Sequence, residues 1–180
     1  MPYRYGFGVN PDHPEAYDLT EPFQFIELCA SLGVKILNVS AGSPYYNPHI
    51  QRPAAYPPSD GYQPAHDPLI DVDRQIQVVR QIKSKAPASM VFVGTAYSYL
   101  QEYLPHVAQH NVREGWTDMV GLGRMTLSYP DILADATTKG TFTPKMICRT
   151  FSDCTTAPRN GMISGCYPLD EHYKTKHEFT

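Results

Sequence analysis

Two short glycine-bearing segments hold the residue types best suited to grip an anion: Gly121-Leu122-Gly123-Arg124 and Gly94-Thr95-Ala96-Tyr97-Ser98. Glycine lets the backbone come close to a phosphate, free N–H groups donate to it, and an arginine adds a forked cationic donor. The spacing is not a dinucleotide fingerprint. Gly121-x-Gly123-x-x-Thr126 lacks the third glycine, and no acidic residue follows at the required distance. Plain tight turns remain the alternative reading of Gly94, Gly121 and Gly123.

A second set of chemical groups lies in the segment 44–68, which carries Tyr45, Tyr46, His49, Arg52, Tyr56, Tyr62 and His66. The chain has 17 prolines and 13 tyrosines, and they cluster here; proline ordinarily supplies about 5% of residues. The clustering predicts one long, stiff, aromatic-lined loop. Loops of this length in compact domains usually have a function. Its tyrosines and histidines could shape a pocket or donate protons, or the segment could be a structural flap; none of its histidines is singled out as catalytic. Of the four cysteines, Cys29 falls on an apolar helix face and reads as core. Cys148, Cys154 and Cys166 lie in a tail, and with His172 they match no common zinc spacing.

The elements that must position these groups alternate in type. Residues 20–33 read as a helix, with Thr20 as N-cap, Phe25, Leu28, Cys29 and Leu32 at helical spacing, and Gly33 as the stop. Residues 34–40 read as a strand. Asp71 is expected to cap a second helix reaching about Ala86, with Val72, Ile76, Val79 and Ile82 on one side. A strand over 90–93 follows, then a helix over 99–110 kinked near Pro105, a strand over 118–122, and a short helix from Pro130-Asp131 toward Thr138. A further strand is expected around residues 2–5. Alternating strands and amphipathic helices predict an α/β protein with a parallel sheet. Ligands in such proteins sit at the carboxyl ends of the strands, which is where both glycine-bearing segments fall.

Composition removes several classes. Apolar residues make up 42% of the 180-residue chain and charged residues 18%, against a typical charged share of about 25%, so neither disorder nor a coiled coil is expected. A net charge of −3 leaves no electrostatic footprint for nucleic acid or an anionic membrane. No stretch approaches the roughly 20 apolar residues of a membrane span. Met1-Pro2-Tyr3-Arg4-Tyr5-Gly6 lacks the apolar run of a signal peptide, so a cytoplasmic protein is the expectation.

The segment Asp118-Met119-Val120-Gly121-Leu122-Gly123-Arg124, followed by Leu127-Ser128-Tyr129-Pro130-Asp131, resembles the last strand and phosphate loop of the old yellow enzyme family. These are FMN-dependent NAD(P)H:flavin oxidoreductases that include a 2,4-dienoyl-CoA reductase branch. Upstream, Ile36-Leu37-Asn38-Val39-Ser40-Ala41-Gly42 is similar to the family's sixth strand, Val91-Phe92-Val93-Gly94 to its seventh, and Tyr3-Arg4-Tyr5-Gly6 stands where the fifth should be. The resemblance covers nearly the whole chain. It implies the carboxyl-terminal half (strands 5–8) of a TIM barrel over residues 1–140, followed by an irregular cysteine-containing tail over 141–180.

By the same resemblance, the cofactor is FMN and the reductant NAD(P)H. Arg4 would lie beside the pyrimidine edge of the flavin, where a cation stabilises the charge that reduction places there. Gly94, Thr95, Gly123 and Arg124 would clamp the phosphate, and residues 40–43 would lie near the ring or a small-molecule substrate. The branch's 4Fe-4S cluster is expected to be absent: Cys154 and Cys166 match two ligands, but Phe151 and Ala157 stand where the other two belong. The family's first barrel half, which supplies much of the active site, has no counterpart in this chain. The expectation is therefore an FMN-binding half that is not a competent oxidoreductase alone: a fragment lacking the first-half catalytic residues, half of a split enzyme, or a half-barrel completed by a copy of itself or by a complementary half-barrel chain. A non-redox phosphate-ligand-binding α/β module is the alternative.

Overall fold

The computed structural model describes residues 6–44 and 46–176. Helix α1 (Thr20–Ser31) begins where the Asp18 Oδ1 atom accepts from both the N–H and the hydroxyl of Thr20, at 2.9 and 2.7 Å. Thr20 is thus the capped residue and not the cap. Ile26 and Cys29 face the core, while Phe25, Leu28 and Leu32 of the expected apolar face are exposed. Gly33 ends the helix in the left-handed region (φ 80°), which lets the Val34 N–H reach back to the Cys29 carbonyl at 3.0 Å. Strand β1 (Ile36–Val39) follows at once.

A single turn, α2 (Pro48–Gln51), interrupts the proline-rich segment. Helix α3 (Pro68–Lys85) starts a turn earlier than its apolar periodicity suggests. Asp67, not Asp71, is the cap: its Oδ1 accepts from the Leu69 N–H at 2.8 Å, and Pro68 occupies the first helical position, where no N–H is needed. Asp71 is instead buried inside the first turn. Strand β2 (Val91–Gly94) leads into a 3-10 stretch (Tyr97–Tyr103) broken at Gln101, and then into α4 (Leu104–Arg113). The break expected near Pro105 falls at Gln101, because proline fits without cost in the first turn of α4.

Strand β3 (Met119–Val120) is shorter than the apolar run around it. Just before it, the Asp118 N–H still donates to the Phe92 carbonyl at 3.0 Å, but the Phe92 N–H is taken by the Asp118 carboxylate (2.8 Å), which also pairs with Lys83, so a side chain and not strand backbone makes that contact. Two short helices, α5 (Met125–Ser128) and α6 (Ile132–Thr138), come next. The tail holds a 3-10 turn (Pro144–Met146), α7 (Asp153–Arg159) and α8 (Glu171–Lys174), and it contributes the buried Ile147 to a core cluster.

The three strands form one parallel sheet in the order β1-β2-β3, so the α/β class holds. The strand expected over residues 2–5 lies outside the described residues. Leu37, Val39 and Phe92 pack against Ile26, Cys29, Val79 and Ile82 of α1 and α3. A second cluster joins Val72 and Ile76 to Tyr97, Met125, Tyr129 and Ile132. The opposite face, set by the pairings Ile36↔Val91, Asn38↔Val93 and Val93↔Met119, is open: Ile36 is 60% exposed and Met119 52%. Parallel sheets are normally covered on both faces. Among the described residues no helix is long and apolar enough to cross a membrane.

Candidate functional site

The Gly121 N–H donates to the Gly94 carbonyl at 2.8 Å, so the turns after β2 and β3 lie side by side at the carboxyl edge of the sheet. A cavity of about 490 Å³ opens there. Ser40 reaches it from the end of β1, Thr95 and Ala96 from the turn after β2, and residues 121–124 from the turn after β3. Arg52 closes one side from the proline-rich segment, and Cys148, Thr150, Ser152 and Cys154 close another from the tail.

Of the residues expected at the site, Thr95, Gly123 and Arg124 share this wall; Arg4 lies outside the described residues. Gly94 sits one step back in the sheet. A Cβ there would stand 3.2 Å from Thr117 Oγ1, so close packing accounts for this glycine. At Gly123 a Cβ would meet nothing within 4 Å. The Thr95 hydroxyl is committed to the fold, 3.0 Å from the Val39 carbonyl and 3.1 Å from Gln75 Oε1.

Gln75 ties three segments to the site from within α3. Its Oε1 accepts from the Ala41 N–H (3.2 Å), and its Nε2 donates to the Ile50 and Gln51 carbonyls (2.8 and 3.1 Å). It thereby seats α2 and, one residue on, Arg52. The available signal was a glutamine between Val72, Ile76 and Val79 on an otherwise apolar face. Arg52 is one of the chemical groups named in the proline-rich segment, but nothing in the local sequence distinguishes it from the others there as the one that reaches the cavity.

The charge on the wall is of one sign. Arg52 and Arg124 both reach it, and neither Asp nor Glu lines it. Each guanidinium donates through Nη1 to Thr155 Oγ1, at 3.1 and 2.9 Å. Among the described residues no carboxylate pairs with either, whereas the neighbouring Arg159 is paired with Asp60 at 2.8 Å. Burial, and after it the like charge of Arg124, pulls the Arg52 guanidinium down to about 10, which still leaves it charged at neutral pH. Its Nε is buried without a hydrogen-bond partner. Two cations on one neutral hydroxyl, with a donor to spare, fit an anion.

Backbone strain gathers at the same place. The non-glycine residues with positive φ among the described residues are Ala96 (75°), Gln101 (51°), Thr150 (54°) and Ser152 (67°), and all but Gln101 line this cavity. Such residues cost on the order of 1–3 kcal/mol each and cluster at functional sites.

The thiols are less suited to chemistry. Burial pushes both Cys148 and Cys166 up, which disfavours the reactive thiolate. No three of Cys148, Cys154, Cys166 and His172 bring ligand atoms within 4.8 Å of one another. No family model matches the chain, and no curated protein or solved structure matches it.

Proposed function

We propose that the chain binds the phosphate of FMN in the cavity at the carboxyl edge of its sheet, as the carboxyl-terminal half of a TIM barrel of old yellow enzyme type. Arg52 and Arg124 carry this reading: they converge, without a carboxylate, on the wall that also holds Thr95 and Gly123. Of the segment that resembles the family's last strand and phosphate loop, residues 121–124 line that wall. When bound, FMN supplies hydride transfer between NAD(P)H and an electrophilic alkene. The chain's own part is to neutralise and orient the phosphate through two guanidiniums and the backbone of residues 121–124.

The open face of the sheet supports the half-barrel part of the proposal. Ile36, Val91, Val93 and Met119 form an apolar surface of the kind a barrel interior buries. On this reading β1, β2 and β3 stand for the sixth, seventh and eighth strands, and a second copy or a complementary chain covers the face. Turnover then belongs to the closed assembly and not to the isolated chain.

A non-redox phosphate-binding module is the second reading, favoured by the fact that the charged groups of the cavity recognise a phosphate whatever it is attached to. Titration with FMN, riboflavin and a simple sugar phosphate separates the two. The flavin reading expects FMN to bind much more tightly than either of the others and to give bound absorbance near about 450 nm. Equal affinity for the sugar phosphate supports the second reading, and riboflavin binding as well as FMN refutes both. NADPH-driven reduction of an enone by the isolated chain would refute the need for a completing half.

A further inference from the structure

We propose that His49, His66 and Asp71 form a binding site for a divalent transition-metal cation, best matched by Zn²⁺, that is separate from the phosphate cavity and does not rest on the flavin reading. One ligand atom from each of the three side chains lies within 4.8 Å of the other two. A zinc ion between them needs contacts of about 2.0–2.2 Å, which small side-chain rotations supply. Two imidazoles and a carboxylate are donors that suit zinc.

The chemistry around each ligand favours a cation. Asp71 is fully buried, at 0% exposure, and a buried carboxylate requires compensation. Its Oδ2 lies 2.7 Å from His66 Nε2, while its Oδ1 has no hydrogen-bond partner, with Arg74 Nε at 3.4 Å. The two oxygens therefore face different groups. A cation on the histidine side leaves Arg74 to hold the other oxygen, and the charge of Arg74 moderates the affinity. His49 Nδ1 is bonded to the Tyr62 hydroxyl at 2.6 Å, so its Nε2 is the nitrogen left to ligate. An outer partner that fixes the ring of a ligating histidine is the usual arrangement at metal sites. The two imidazole rings meet edge to face, 5.6 Å apart. A cavity of about 240 Å³ lined by His49 and Tyr62 provides an approach.

The placement gives the cation a task. His49 belongs to α2, His66 precedes α3 and Asp71 lies in its first turn, so one ion would staple both ends of the long proline-rich segment. Three protein ligands also leave a coordination position open for water or a small anionic ligand.

The test is calorimetric titration of the metal-free full chain with Zn²⁺, beside Co²⁺ titration followed by absorption. One equivalent of Zn²⁺ is expected to bind. His49→Gln and His66→Gln should each abolish that binding, and Tyr62→Phe should weaken it roughly ten- to hundredfold, with circular dichroism confirming that each variant is folded. The Co²⁺ complex should show visible ligand-field bands and no thiolate charge-transfer band. Absence of Zn²⁺ binding by the folded chain, wild-type affinity in the histidine variants, or a thiolate band from the tail cysteines would each overturn the proposal. A failure here leaves the FMN titration untouched, so the two proposals fall separately.

Discussion

Arg52, from the proline-rich segment, and Arg124, from the turn after β3, donate to the same oxygen, the Thr155 hydroxyl, beside the cavity at the carboxyl edge of the sheet. One neutral acceptor cannot balance two guanidiniums, so each has donors left for an anion. A hydrogen bond to a charged group contributes about 1.5–3 kcal/mol, and about 1.4 kcal/mol is a factor of ten in affinity. Arg124→Ala and Arg52→Ala are each expected to weaken FMN binding by roughly tenfold to a hundredfold, measured by fluorescence quenching. Without ligand, Arg124→Ala removes a like-charge repulsion, so its thermal midpoint should hold. Loss of stability with unchanged FMN affinity would assign the arginine to the fold and not to the ligand.

The two glycines at the strand ends should respond differently to an added methyl group. At Gly123 the space is open, so the fold accepts alanine and only a ligand approaching the backbone would object. At Gly94 the methyl would press on Thr117 Oγ1 at 3.2 Å, and overpacking typically costs about 1–3 kcal/mol. Gly123→Ala is therefore expected to keep the wild-type melting temperature while weakening FMN binding, and Gly94→Ala to lower the melting temperature. Wild-type affinity in Gly123→Ala would mean that no ligand approaches that backbone closely.

Ala96 sits in the cavity wall at φ 75°, where a Cβ is unwelcome. Left-handed backbone costs a non-glycine residue roughly 1–2 kcal/mol, part of which glycine returns through its greater unfolded-state freedom. Ala96→Gly should raise stability by about 1 kcal/mol, or a melting temperature gain of roughly 2–4 °C for a chain of this size. Calorimetry on the two proteins checks this. If strain at Ala96 pre-orients the wall, FMN affinity should fall even as stability rises.

Local patterns carried the architecture and little of the site. Val72, Ile76, Val79 and Ile82 recur at helical spacing and are all buried in α3, because one face of a helix repeats within the length of a turn. β1 and β2 were legible for the same reason, as short β-branched runs between turn residues. The turns after β2 and β3 could be matched because sheet order places consecutive strand ends together. Arg52, in contrast, reaches the cavity through contacts that span about a hundred residues. The Tyr56 N–H bonds to the Thr150 carbonyl and the Ser59 N–H to Thr156 Oγ1, at 3.3 and 3.1 Å. No periodicity encodes such pairings. The start of α3 is ambiguous in the sequence because Asp67 and Asp71 stand about one turn apart, and only the geometry of Asp67-Pro68 decides which of them caps.

Acid should expose one structural carboxylate by itself. Asp135 is buried between α6 and the segment that follows it, paired with Lys139 at 2.7 Å and accepting from the Tyr129 hydroxyl. Lys139 first, and Tyr129 after it, hold the Asp135 carboxyl below its ordinary value of 3.8. The folded state therefore binds fewer protons than the unfolded state between the two values, and ionised Asp135 favours folding. Its contribution is complete above 3.8 and disappears as the pH falls through the lower, folded value. Asp135→Asn should lower the urea midpoint at neutral pH, and the gap from wild type should close as the pH drops below 3.8. The Tyr129 hydroxyl also accepts from the Thr143 N–H at 2.9 Å, so Tyr129→Phe should lower the neutral-pH midpoint too and leave less of the acid dependence. A gap between wild type and Asp135→Asn that stays constant from neutral to acid pH would show that the carboxylate charge contributes nothing to folding.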